Sequence, residues 1–166
     1  MRLLLDTHTF LWAISDEARL GPRSRDLIST EASSVVISHV SLWEIALKHA
    51  LDRSDMPLSA AQAIPWAQEC GFELLPLDLP HLLTLEQLPL HHRDPFDRLL
   101  VAQSISQSLL LVSADAAFDA YGCPLQDVCA PLSDLSCGKE AELSYRKPVG
   151  ALKAWQSEAI LIQALA

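Results

Sequence analysis

Short apolar runs that alternate with amphipathic segments are the feature that most constrains the fold of this chain. Runs that are only a few residues long, apolar throughout and separated by helices are typical of parallel strands buried on both faces. The runs that we interpret as strands cover residues 2–5, 34–38, 72–77 and 109–112. We therefore expect an α/β fold, a three-layer α/β/α sandwich built around a parallel sheet.

The segments between these runs carry signals for helices. Pro22 follows Gly21 and suits the first turn of a helix, because proline has no N–H to leave unsatisfied there. Ser41 is a plausible N-cap, and Pro65 is expected to disturb the helix that contains it. The helices that we expect cover residues 9–14, 22–32, 41–51, 59–70, 80–87 and 95–108.

The α/β pattern ends near Leu125, and we expect one domain over 1–125 followed by a C-terminal extension over 126–166. Residues 127–138 are aperiodic and contain Pro, Ser and Cys, which is typical of a linker. Further on, apolar side chains recur at helical spacing, which predicts an amphipathic helix that docks on the main domain, binds a partner or closes a dimer. These side chains are Leu152, Trp155, Ala159 and Ile162.

The sequence shows no membrane span, signal-peptide cleavage site or C-x-x-C pair, and these features predict the compartment. No apolar run approaches the roughly 18 residues that span a bilayer. The apolar start is closed by Asp6, and no small-residue cleavage site follows it. The four cysteines form no C-x-x-C pair. We expect a cytoplasmic protein with reduced thiols and no membrane association.

The formal charge of −9 excludes an ordinary phosphate-neutralising surface as the basis of any nucleic-acid function. Proteins that hold nucleic acid through its phosphates are normally basic. A chain this acidic needs another source of positive charge at its site, and a divalent cation held by carboxylates would supply it.

Four acidic residues fall at junctions between predicted elements. Asp6 ends the first strand, and Asp115 follows the last. Glu44 and Asp97 lie near the starts of helices. Because strand ends and the following helix starts share one edge of a parallel sheet, these carboxylates should meet at one place. Clustered carboxylates repel one another, and Mg²⁺ or Mn²⁺ would relieve that repulsion because hard cations prefer oxygen ligands.

Three of these acids have a simpler local interpretation as helix caps. Ser41 and Glu44 fit a capping box, and Asp97 would be favoured by the helix dipole. Asp115 would serve as an N-cap for residues 116–121. Asp6 has no evident capping need, since it directly follows an apolar strand. The coincidence of all four at one predicted edge favours a functional site.

Four segments carry a resemblance to a known family, and R-D-P-F-D-R-L-L-V-A-Q is the most specific of them. They resemble the signature segments of PIN-domain nucleases, and most of all those of VapC-like toxin ribonucleases from type II toxin–antitoxin systems. The segments are L-L-L-D-T-H from Leu3, S-L-W-E-I-A-L-K from Ser41, R-D-P-F-D-R-L-L-V-A-Q from Arg93, and L-V-S-A-D from Leu111.

The resemblance spans about residues 1–125 and implies both a fold and an activity. The implied protein is a Mg²⁺- or Mn²⁺-dependent endoribonuclease, commonly a homodimer, that is inhibited by a cognate antitoxin. Its implied catalytic and metal-binding residues are Asp6, Glu44, Asp97 and Asp115.

Other functional classes fit the sequence less well. A haloacid-dehalogenase-like phosphatase needs D-x-D after the first strand, and Asp6-Thr7-His8 lacks the second aspartate. A receiver domain needs adjacent acids there and a lysine near its last strand, and residues 109–115 contain no lysine. A non-catalytic PIN-like interaction module and a DNA-directed nuclease remain as alternatives.

Overall fold

A computed structural model describes residues 1–128, apart from positions 16, 55, 57 and 92. The predicted apolar stripe of the tail, from Leu152 to Ile162, lies outside the described residues. No helix in the described part of the chain is both long enough and apolar enough to cross a membrane.

The sheet confirms the α/β prediction. Its five strands are β1 (Arg2–Leu5), β2 (Ser34–Ser38), β3 (Glu73–Leu75), β4 (Leu110–Ser113) and β5 (Leu125–Asp127). They lie in the order β3-β2-β1-β4-β5, and every neighbouring pair is parallel. Sequence patterning missed β5, which pairs with β4 and carries the sheet past the boundary expected at Leu125.

All six predicted helices are present, with ends that differ by a few residues. They are α1 (Thr7–Ser15), α2 (Pro22–Asp26), α3 (His39–Ala50), α4 (Ala60–Glu69), α5 (Leu79–Gln87) and α6 (Pro95–Gln107). A π-helical turn over Leu27–Glu31 extends α2, and 3₁₀ helices cover Glu17–Arg19 and Ala116–Tyr121. Pro65 lies inside α4 and does not end it.

Helices cover both faces of the sheet, as expected for a three-layer sandwich. Successive side chains of a strand point to opposite faces. Leu3 and Leu5 of β1 accordingly pack with α1, α3 and α4 in one apolar cluster, whereas Leu4 packs with Leu100 of α6 and Phe118 in the other. Both faces of β1 are therefore buried, and its carboxyl end lies at the middle of the sheet edge.

The start of α3 corrects the predicted capping box. Ser38 is the N-cap, and its Oγ accepts the N–H of Val40 at 2.9 Å. The same hydroxyl donates to Oε1 of Gln103 at 2.5 Å. Ser41 lies inside the helix, fully buried, with no hydrogen-bond partner for its hydroxyl among the described residues. The interpretation of Ser41 and Glu44 as a capping box is therefore wrong.

We predict that Ser38→Ala lowers the free energy of unfolding by about 1–2 kcal/mol, since it removes a helix cap and leaves Oε1 of Gln103 buried without this donor. Urea unfolding followed by circular dichroism measures the change. Ser41→Ala is the matched control, and we expect it to be neutral or stabilising because it removes a buried hydroxyl that has no described partner. Equal losses from the two substitutions would contradict this assignment of the cap.

Candidate active site

A cavity of about 120 Å³ lies at the carboxyl edge of the sheet, and all four predicted acids line it. Asp6 follows β1, and Asp115 follows β4. Glu44 comes from α3, which follows β2. Asp97 lies in the first turn of α6, whose N-terminus is at this edge because the helix runs back to the start of β4. The other lining residues are Thr7, His8, Lys48, Asp94 and Phe118.

Asp6 is the most constrained of these carboxylates. It is only 7% exposed, and its Oδ1 accepts the N–H of Thr9 at 2.6 Å. Its Oδ2 accepts the hydroxyl of Ser113 at the end of β4. Burial raises the pKa of Asp6 above its ordinary value, although both hydrogen bonds favour the ionised form and oppose the shift. Because Asp6 caps α1, the expectation that it has no capping role was wrong.

Glu44 is buried within α3 and is held by two neighbours. Its Oε2 accepts the hydroxyl of Thr7 at 2.5 Å, and its Oε1 lies 2.5 Å from Nζ of Lys48, one helical turn later. Lys48 lies at i+4 from Glu44, so the two form an intrahelical ion pair. Thr7 immediately follows Asp6, so the hydroxyl of Thr7 links the end of β1 to α3.

The remaining acids combine capping with a place in the cavity wall. Asp94 is the N-cap of α6, where its Oδ1 accepts the N–H of Phe96 at 2.8 Å. Asp115 caps the following 3₁₀ helix through the N–H of Ala117, also at 2.8 Å. Asp94 is not among the four acids that the sequence predicts to form the site. Asp94 lies three residues before Asp97, about one helical turn away. This spacing is the sequence signal that both residues line the same cavity.

The donor set fits a hard, hydrated cation better than a tightly caged one. No three His, Cys, Asp or Glu side chains in the described ranges are arranged to hold a metal ion directly. The oxygens of Asp6 and Glu44 are turned towards Thr9, Ser113 and Thr7. Mg²⁺ is commonly bound by only one or two carboxylates and keeps several of its waters. It therefore fits a cavity in which some carboxylates bind the ion directly and others contact its waters.

A family model that describes the PIN domain matches residues 3–122, which is most of the chain. The chain belongs to the PIN-domain family. Domains of this family are generally nucleases. No curated protein matches the sequence.

Two solved structures share the PIN fold with this chain. One is VapBC2 from Rickettsia felis bound to a DNA fragment from its promoter, with a TM-score of 0.58, 15% identity, and coverage of 76% of this chain and 98% of that one. The other is DNA-bound VapBC from Salmonella typhimurium, with a TM-score of 0.57, 19% identity, and coverage of 78% and 99%. At these identities the likeness supports the fold alone.

We predict that Asp6→Asn stabilises the metal-free PIN domain at pH 7. The raised pKa means that the native state binds a proton more readily than the unfolded state. The wild type should therefore lose stability as the pH rises from the ordinary aspartate pKa, about 3.9, through the raised pKa of Asp6. The asparagine variant lacks this loss, and its amide can still accept from Thr9.

Chemical unfolding in EDTA across pH 4–7.5 measures this effect. Asp26→Asn, on the exposed surface of α2, is the matched control and should follow the wild type. A destabilised Asp6→Asn at pH 7 would mean that the hydrogen bonds of the carboxylate outweigh its desolvation.

Proposed function

We propose that this PIN-domain protein is a metal-dependent endoribonuclease that hydrolyses RNA phosphodiester bonds with Mg²⁺ or Mn²⁺. The observation that carries the proposal is the single cavity lined by Asp6, Glu44, Asp97 and Asp115, at the edge where four separate elements end or begin. A fifth carboxylate, Asp94, adds to its negative charge.

The charge around the cavity supports a cation as part of the site. Lys48 lines the cavity, but its ammonium group is paired with Glu44. A phosphodiester that approaches five carboxylates would be repelled unless a cation lay between them. A metal ion at this position would therefore neutralise the site and attract the substrate.

The side chains divide between direct and supporting roles. Asp6 and Asp97 would hold the ion directly, and Glu44 and Asp115 would hold it directly or through water. When bound, such an ion supplies Lewis acidity, which polarises the phosphate and makes a water molecule a better nucleophile. Ser113 fixes the orientation of Asp6, while Thr7 and Lys48 fix that of Glu44.

We further propose that the protein is the toxin of a toxin–antitoxin pair and works in the cytoplasm. Its motifs resemble those of VapC-like toxins, and two of the solved structures that share its fold are VapBC complexes. A cognate antitoxin and a second copy of the chain are the proposed partners. Exposed apolar side chains support protein–protein contact: Trp43 and Leu47 on α3, and Leu51 directly after it.

A non-catalytic interaction module is the second candidate. Such a module would have no use for a desolvated carboxylate and would be expected to have lost one or more of the four acids. This chain has all four, and Asp6 has a raised pKa. A DNA-directed nuclease would use the same cavity, so parallel assays on RNA and DNA of one sequence separate these two activities.

Binding of a divalent ion should raise the melting temperature, because only the native state presents these carboxylates together. We expect a rise of several degrees between EDTA and 5 mM Mg²⁺ or Mn²⁺, measured by differential scanning calorimetry at constant ionic strength. Asp6→Asn should show a much smaller rise. Equal melting temperatures for the wild type in EDTA, Mg²⁺ and Mn²⁺ would contradict the metal site.

Asp97→Asn should reduce RNA cleavage by at least about 100-fold while leaving the fold intact. The amide keeps the size of the side chain and loses only the charge that the ion requires. Cleavage of structured RNA in Mn²⁺, with circular dichroism of each variant, measures both effects. Asp26→Asn removes one exposed carboxylate elsewhere and should cleave normally. Full activity in a folded Asp97→Asn would leave Asp97 with a structural role alone.

A further inference from the structure

A single guanidinium group ties the end of α5 to the loop that leads into the active site. Nη1 of Arg98 donates to the carbonyl of Pro89 at 2.6 Å. Nη2 donates to the carbonyls of Leu85 at 3.4 Å and Leu88 at 3.2 Å. Carbonyls at a helix C-terminus have no partner within the helix and carry partial negative charge, so a cation stabilises them well.

The same group also contacts the 3₁₀ helix that follows Asp115. Nη1 of Arg98 also donates to the hydroxyl of Tyr121 at 3.3 Å. Tyr121 ends the 3₁₀ helix that Asp115 caps, and its ring packs edge-to-face against His91 at 5.2 Å between centroids. Arg98 therefore fixes the loop between α5 and α6 relative to both Asp94 and Asp115.

This loop adds positive charge next to a site in which Lys48 is paired with Glu44. Arg93 is exposed and directly precedes Asp94, whose carboxylate lines the cavity. Within the described part of the chain, the hydrogen bonds of Arg98 are all with uncharged acceptors, so they do not neutralise its charge. Two arginines, one in the loop and one in α6, thus lie close in sequence to Asp94 of the cavity.

A groove lies beside the loop, next in sequence to the cavity residue Asp94. Its volume is about 930 Å³, and Arg93 and Pro95 border it on either side of Asp94. Most of its other lining is apolar, including Leu90 and Leu99. A single-stranded nucleic acid has this combination of an anionic backbone and apolar base faces.

We propose that Arg93 binds a backbone phosphate of a single-stranded RNA next to the scissile phosphate, and that Arg98 is the positioning residue that holds the loop in place for this contact. This inference rests on the proposed ribonuclease function and adds the direction in which the strand leaves the cavity. The bases that follow the bound phosphate lie along the groove.

The other side of the cavity, along α1, is less suited to binding the RNA strand. Arg19 lies over the ring of Trp12, 4.5 Å from its centroid, and Trp12 lies beside His8 at the cavity. That guanidinium is already engaged with the indole, and the described structure contains no network around it comparable to that of Arg98. The strand therefore runs over the loop before α6 and not along α1.

The test measures binding of the full-length protein to a single-stranded RNA by fluorescence anisotropy at several salt concentrations, with Ca²⁺ in place of Mg²⁺ or Mn²⁺ so that binding is followed without cleavage. Arg93→Gln should weaken binding by about 3- to 10-fold. It should also make the slope of log K against log salt shallower by about 0.7, the value for one lost phosphate contact on a single strand. Arg2→Gln is the matched control, because Arg2 starts β1 at the opposite edge of the sheet.

Arg98 is tested by a double-mutant cycle, since it acts through the loop and not through RNA. Arg98→Gln should weaken RNA binding at least as much as Arg93→Gln, and adding Arg93→Gln to it should cost little more. Arg98→Lys should not restore binding, because an ammonium group cannot reach all four acceptors. Tyr121→Phe removes the bond from Arg98 to this hydroxyl and serves as the milder variant if Arg98→Gln does not fold.

Several results would overturn the proposal. Unchanged affinity and salt slope in Arg93→Gln would do so, as would an equal loss in Arg2→Gln or a larger loss in Arg19→Gln. Additive effects of the Arg93 and Arg98 substitutions would remove the positioning role. A wild type that neither binds nor cleaves RNA refutes the proposed function as well, whereas an active wild type with a normal Arg93→Gln refutes this inference alone.

Discussion

The burial of Asp6 at the carboxyl end of the central strand is the interaction on which the rest of the site depends. Its carboxylate accepts one hydrogen bond from the start of α1 and one from the end of β4, through Thr9 and Ser113. These bonds join three elements at one point. They do not fully offset desolvation, so the pKa of Asp6 stays raised. A nearby cation would stabilise the ionised form, which makes the fold and the proposed chemistry interdependent.

Capping and catalysis are not competing explanations for these acids. A carboxylate has two oxygens with about four lone-pair sites, and a cap uses one of those sites. Asp94 and Asp115 each accept a backbone N–H while they line the cavity. Capping fixes the side-chain rotamer, and a fixed rotamer is what a metal site requires of its ligands. Helix starts would therefore provide both the proposed ligands and their orientation.

Much of the fold followed from the sequence because its elements have strong local signals. The apolar runs that became β1 and β2 and the periodic segment that became α6 are examples. The meeting of four acids in one cavity followed from a general property of parallel sheets. What could not be predicted depends on contacts between distant segments. Strand β5 is three residues long, and its identity rests on pairing with β4.

The errors at helix starts have a similar cause. Ser38 and Ser41 are both good N-cap residues, and the choice between them depends on a buried bond from Ser38 to Gln103, 65 positions away. The capping role of Asp6 depends on α1 starting directly after β1, without a connecting loop. The contacts of Arg98 are mainly with backbone carbonyls. Every residue has a carbonyl, so the sequence does not indicate which residues accept these bonds.

The position of a bound Mn²⁺ ion tests the central claim most directly. Crystals of the full-length protein grown with Mn²⁺ would be measured on both sides of the manganese absorption edge, so that anomalous scattering locates the ion without reference to activity. A peak in the cavity at the carboxyl edge, within coordinating distance of an oxygen of Asp6 or Asp97, is the predicted result. A fully occupied ion elsewhere, with no peak among these carboxylates, would contradict it.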